Sequence, residues 1–197
     1  MKLQWLLWVS TFSGLLIIFL RFFQWNLNEI FTPFLMPILW LLVYGFFFVI
    51  FIVSIIWLFK KKDWKPFVVQ TFTILLLIII PFNQIVIDID FKTNKSGRNE
   101  VINKIQDGIL KPNVSYNSSL IHLPDQYKHL SKGGGDVVIE NQNERYSVLF
   151  FTFRGVLDGF SGFVYSPNEK KPQLGSFGGD FKEIVKLDEN WYFVSSS

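Results

Sequence analysis

The stretch VLFFTFRGVLDGFSGFVYS, residues 148–166, admits three readings: a membrane span, a pair of strands in a water-soluble domain, or a site built around Arg154 and Asp158. The span reading fails on composition. Arg154 and Asp158 interrupt the apolar run, as do Gly155, Gly159 and Gly162, and a helix needs about 20 predominantly apolar residues to cross hydrocarbon roughly 30 Å thick. The stretch is therefore expected as two strands around the turn RGVLDG. Within it, Val148 and Phe150 fall on one face and Leu149, Phe151 and Phe153 on the other. A strand apolar on both faces is central and needs two covers.

The residues before it are of another kind. LQWLLWVSTFSGLLIIFL (3–20) carries no charge, FLMPILWLLVYGFFFVIFIVSIIWLF (34–59) is uncharged throughout, and so is PFVVQTFTILLLIIIPFNQIVI (66–87). All three are long enough to span, and the second and third are apolar all round, unlike the striped helix of a soluble core. Trp5, Trp8, Trp25, Trp57 and Trp64 lie near the expected ends, where amphipathic rings suit the headgroup layer. Lys2 and the first run also resemble a signal peptide, but no small-residue cleavage site follows, so the run is read as a retained signal anchor.

Orientation follows from the loops. KKKDWK (60–65) places four Lys beside one Asp, and the positive-inside rule makes that turn cytoplasmic. The amino terminus is then cytoplasmic, the loop at 21–33 external, and everything after Asp88 outside the cytoplasm. Residues 1–87 carry six Lys/Arg against Glu29 and Asp63, whereas residues 88–197 carry 13 against 14 acidic groups. The overall net charge of +3 thus comes from the flanks of the spans and gives no footprint for nucleic acid.

The expected architecture is three N-terminal transmembrane helices (1–87), a linker (88–98) and a small α+β domain (99–197). The domain holds one helix at about 99–107, stopped by Gly108, and one short helical turn or two at 124–130. Strands are expected at 136–140, 145–153, 161–166, 181–187 and 191–196, forming an antiparallel meander of four or five. The helix is expected over one face of the 148–153 strand, with 124–130 and the loop at 166–180 covering the other. The chain has no Cys, so disulfides and thiolate chemistry are excluded. A domain outside the cytoplasm must then rest on its core.

Motifs with chemistry are few. Arg154 and Asp158 could form a grip for carboxylate or phosphate, or a charge pair across a turn; the structural account is preferred. Tyr165 and Trp191 join Arg154 as exposed anchors for a ligand or partner. His122 and His129 lack the i, i+4 spacing of a helical zinc pair, and a metal would also need a carboxylate such as Asp125. SKGGGD (131–136) has the wrong order for a phosphate loop, since its glycines lead into a strand; as a connector it could still offer backbone N–H groups to an anion. Asn94, Asn113 and Asn117 match glycosylation acceptors; one or two matches would arise by chance, and they matter only in a eukaryotic source. No catalytic triad or nucleotide fingerprint is present, and no cofactor or metal is expected.

These observations point to a bacterial multi-pass protein of the cell membrane, with the bilayer and an envelope protein as partners and no nucleic acid. Two other classes stay open. A membrane-bound hydrolase would bring His122, His129, Asp125 or Asp158 together in a cleft. A channel or transporter subunit would line a cavity with Gln70, Thr71 and Thr73, although the spans hold none of the ionisable groups such proteins use.

Overall fold

The computed structural model describes residues 4–142, 145–155 and 159–196, and the chain divides into two compact units, Met1–Val86 and Ile87–Ser197.

The first unit is helical. α1 spans Gln4–Phe22, α2 Gln24–Lys61 and α3 Lys65–Ile79, and α4 (Phe82–Gln106) begins at its end. α1 and α2 run antiparallel, because Trp5 meets Trp57 edge-on at 6.0 Å and the Arg21 guanidinium lies 5.1 Å from the Trp40 ring centre. These two pairs mark the two ends of the contact, about 25 Å apart at 1.5 Å per residue, close to a hydrocarbon thickness.

Two prolines reshape what the sequence presents as plain spans. α2 is broken at Thr32 (φ 59°, ψ 155°), the residue before Pro33, so the expected external loop at 21–33 contains a short helical segment. Ile80 is extended before Pro81, and a 58° bend separates α3 from α4. The expected continuous span at 66–87 is therefore a broken helix pair; α3 alone, 15 residues, covers about 22 Å. Among the described residues, two helices are long and apolar enough to cross a membrane, or three if the bent pair counts as one.

Ile17, Leu20, Met36, Val43 and Phe47 pack between the helices, but much of the rest is sorted in reverse of a protein built for water. Trp8, Phe12, Leu15, Leu41, Leu42 and Phe48 are exposed, while Ser10, Ser13, Ser54 and Gln70 have no accessible surface. Only an apolar surrounding makes that arrangement favourable, because large apolar groups facing water cost about 25 cal/mol per Å².

The second unit is a six-stranded sheet backed by α4. The strands are β1 (Leu120–His122), β2 (Asp136–Gln142), β3 (Arg145–Arg154), β4 (Phe160–Tyr165), β5 (Phe181–Asp188) and β6 (Trp191–Ser196). Their order is β1-β2-β3-β4-β6-β5, all antiparallel. The stretch at 148–166 is indeed central, with β3 and β4 paired side by side. The expected meander of four or five strands needs two corrections: β1 adds a sixth strand, and β6 inserts between β4 and β5. β1 has three residues, too short for its periodicity to register. Gly162 fits the β3 bulge between Phe151 and Phe153, since a Cβ there would lie 2.3 Å from the Phe150 carbonyl oxygen.

Residues 88–98, expected as a linker, are helical, and the helix expected from 99 starts at Phe82. Its buried stripe runs Ile87, Phe91, Arg98, Val101, Ile102 and Ile105. An arginine at a core position hides the apolar period from the sequence. Phe91 packs on Phe163 (5.7 Å) and Trp191 (5.5 Å), so α4 covers the Phe150/Phe163 face as expected. The opposite face gathers Leu149, Phe151, Phe160, Val164, Phe181 and Val194, and Phe177 of the 166–180 loop packs against them. The 3₁₀ helix Asp125–Leu130, expected on that second face, sits instead against α4: Tyr127 bonds Glu100, and Leu130 abuts Gly97.

Arg98 fastens the helical layer. It is 1% exposed, lies 4.2 Å from the Phe163 ring centre, donates through Nε to the Leu130 carbonyl (3.1 Å) and pairs with Asp90. Burial pushes the guanidinium pKa down, and Asp90 opposes that push. Arg98→Ala is expected to destabilise the domain by about 1–3 kcal/mol, measured by chemical unfolding, because it leaves the Leu130 carbonyl and the partly exposed Asp90 without their donor.

Lys95 ties α4 to β5 through Asp188, and its hydrogen bond holds the Asp188 carboxyl below the usual range, aided by the Glu189 N–H. A carboxylate with a lowered folded value stabilises the fold above its ordinary range of about 4 and loses that effect as pH falls through the folded value. The acid decline in thermal midpoint, followed by circular dichroism, is therefore expected to be shallower in Asp188→Asn.

Candidate functional site

Three charged side chains from three strands meet at one corner of the sheet. His122 closes β1, Asp136 opens β2 directly opposite it, and Arg154 closes β3. His122 Nδ1 lies 2.8 Å from Asp136 Oδ1, and Arg154 Nη1 donates to Asp136 Oδ2 at 2.9 Å. An ionised carboxylate only accepts, so the Nδ1 facing it carries the proton and Nε2 is the nitrogen left for other partners. Asp136 is the least exposed of the three, at 14% against 48% for His122 and 41% for Arg154. The carboxylate is thus the inner member, with the imidazole and guanidinium outside it.

The surrounding backbone is clamped. Asn113 brackets His122, accepting its N–H at Oδ1 (2.7 Å) and donating Nδ2 to its carbonyl (2.9 Å). Ser131 Oγ accepts the Phe151 N–H (2.8 Å) and donates to the Asp136 carbonyl. Lys132 N–H bonds the Phe151 carbonyl at 2.7 Å, and Leu123 N–H the Gly135 carbonyl at 3.0 Å. Gly133, Gly134 and Gly135 between these anchors all have positive φ, which β-carbon-bearing residues rarely adopt. The triple glycine is thereby a shaped turn. The Arg154 stem lies along Gly133, and its guanidinium carbon lies over the Phe151 ring, 5.3 Å from its centre.

The residues singled out from sequence fare differently. Arg154 is at the corner, paired with Asp136; Asp158 lies outside the described residues. Trp191, expected as an exposed anchor, is 2% exposed, with Phe91, Phe150 and Tyr165 around its ring and Nε1 donating to Asn99. Its place opposite Tyr165 at the covered end of β6 makes it core. Tyr165 pairs in register with Val148, six residues along β3 from Arg154, about 20 Å away at strand spacing. The candidates do not converge. Asp125 bonds Lys128 Nζ at 2.7 Å, which holds its carboxyl below the usual range. Among the described residues no group of three or more His, Cys, Asp or Glu could hold a metal. From sequence, Asp136 stands only as the last residue of SKGGGD and Asn113 only as a glycosylation match; an Asp after three glycines reads as ordinary turn material.

In the helical unit, Gln70 and Thr73 of α3 face α1. Gln70 Nε2 donates to Ser13 Oγ (2.8 Å) and to the Ser10 carbonyl (3.2 Å), and Ser10 Oγ lies 3.4 Å from Ser54 Oγ. Thr73 Oγ1 bonds the Val69 carbonyl, while Thr71 Oγ1 is buried without a hydrogen-bond partner. Ser10 and Gly14, four apart, form the small-residue face that lets helices approach closely, and a Cβ on Gly14 would stand 2.6 Å from Thr73 Oγ1.

The chain matches no family model, no curated protein and no solved structure.

The helix seam yields a prediction. Gly14→Leu is expected to lower the stability of the detergent-solubilised protein by about 1–3 kcal/mol in a thermal melt, as overpacking does. A cavity lined by Gln70 and Thr73 would absorb the same side chain without loss.

Proposed function

We propose that this is a multi-pass membrane protein that presents the α+β domain outside the cytoplasm of a bacterial cell, as a binding or interaction module. The reading rests above all on the inverted sorting of the helical unit, with serines and glutamine inside and large apolar groups outside, next to a separate domain with its own core. The lysine cluster at 60–65 supports a cytoplasmic turn between α2 and α3 and hence an external domain. Lys60 and Lys61 also suit the negative end of α2.

The mechanism is tethering. A domain held within a few nanometres of a bilayer meets partners in that layer at an effective concentration on the order of millimolar. The spans act as anchor, and an envelope protein is the partner class that fits.

The absence of cysteine gives a background-free test of sidedness. Ser118→Cys and Lys61→Cys place a thiol at an exposed position on either side of the proposed membrane. Ser118→Cys is expected to react with a membrane-impermeant maleimide in intact cells, and Lys61→Cys only after permeabilisation. The opposite pattern sinks the external assignment.

A further inference from the structure

We propose that the His122–Asp136–Arg154 corner is a phosphate-monoester site, with Arg154 gripping unprotonated oxygens and His122 Nε2 taking the remaining position. The assignment gives the binding reading above its ligand class, and rests on that reading only in that the domain binds something.

The geometry carries the argument. Each Asp136 oxygen serves a different partner, one His122 and the other Arg154. Arg154 therefore meets Asp136 through one nitrogen, although a guanidinium has five N–H donors in a planar fork suited to two parallel bonds with phosphate. Its guanidinium carbon lies over the Phe151 ring and its stem against Gly133, yet 41% of the side chain is exposed. A fork held still and open has less freedom to lose on binding.

Stability does not explain this arrangement. Ion pairs as exposed as this contribute about 0–1 kcal/mol, but His122 is bracketed by Asn113 on its backbone and by Asp136 on its ring. That bracketing sets the direction of Nε2. A neutral ring offers a lone pair there and a charged ring offers an N–H. A hydrogen phosphate satisfies either, through its O–H or an unprotonated oxygen; an ionised carboxylate satisfies only the second. Among the described residues, Lys128, bonded to Asp125, lies against Gly135 beside the corner, and Lys132 is anchored there through its N–H to the Phe151 carbonyl. Asp136 directs both oxygens into its partners, so it orients the donors.

The two histidines provide the readout, since the chain has no others. Full-length protein with labelled histidine is placed in bilayer discs of neutral lipid, and His129→Gln assigns the two ring signals. Inorganic phosphate, added at constant ionic strength, is expected to shift the His122 signal saturably and leave His129 in place. Acetate is expected to bind more weakly. Arg154→Met should weaken phosphate binding about tenfold or more, as loss of a charge-assisted hydrogen bond does. If Arg154→Met fails to fold, Arg154→Lys keeps the charge and loses the fork, and weaker phosphate binding is again expected.

Discs containing phosphatidic acid, without free phosphate, distinguish the source. A shifted His122 there points to a lipid headgroup, whereas saturation only by dissolved phosphate points to a soluble ligand. Shifts that grow linearly, move both histidines alike, respond equally to acetate, or persist unchanged in Arg154→Met and Arg154→Lys overturn the assignment. Such a failure with Ser118→Cys still labelled from outside removes the phosphate site and leaves the tethered domain standing.

Discussion

Hydrocarbon offers a polar group no partner, and that constraint organises the first half of the chain. Backbone N–H and C=O groups must bond within their own helix, and polar side chains must find one another. Gln70 does so by reaching Ser13 and the Ser10 carbonyl across a helix contact, close to the Ser10–Ser54 pair. Ile17, Leu20, Met36, Val43 and Phe47 pack between the helices, while many other large apolar side chains face outward. Prolines then decide where the helices break: the residues before Pro33 and Pro81 leave helical geometry because a proline ring crowds the residue ahead of it.

The second half answers to water, and its sheet is sorted the other way. β3 and β4 are apolar on both faces, so the domain closes only when each face finds a cover. α4 supplies one through Phe91 and its apolar stripe, and Phe177 contributes to the other. Arg98 is the exception that holds the layer together. Its charge is costly to bury, and the structure offsets that with Asp90, the Leu130 carbonyl and aromatic faces. The same residue links α4 to the 3₁₀ helix, which is why that helix lies beside α4 and leaves the second face to the long loop.

The corner where β1, β2 and β3 terminate differs from both. Its charges are partly exposed, its backbone is fixed by Asn113 and Ser131, and each oxygen of its carboxylate holds a different partner. A structural ion pair needs neither a bracketed histidine nor a guanidinium over a ring. That surplus of positioning over stability marks it as the place to look for binding.

Local composition alone determined a good deal. Apolar runs at 3–20 and 34–59 specify helices of membrane type, because length and absence of charge are properties of a segment. Alternation and turn residues specified five of the six strands and the short helix at 125–130, since these too are local signals. The tertiary structure decided what depends on distant partners. β1 exists by pairing with β2, α4 extends back through 88–98 because Arg98 has Asp90 and Leu130 to receive it, and Trp191 is buried because α4 lies over it. The corner is the clearest case. His122, Asp136 and Arg154 are spread over 33 positions of sequence, and only the antiparallel register of three strands brings them within hydrogen-bonding reach. Spacing along a chain carries no information about such a meeting, because the sheet sets it.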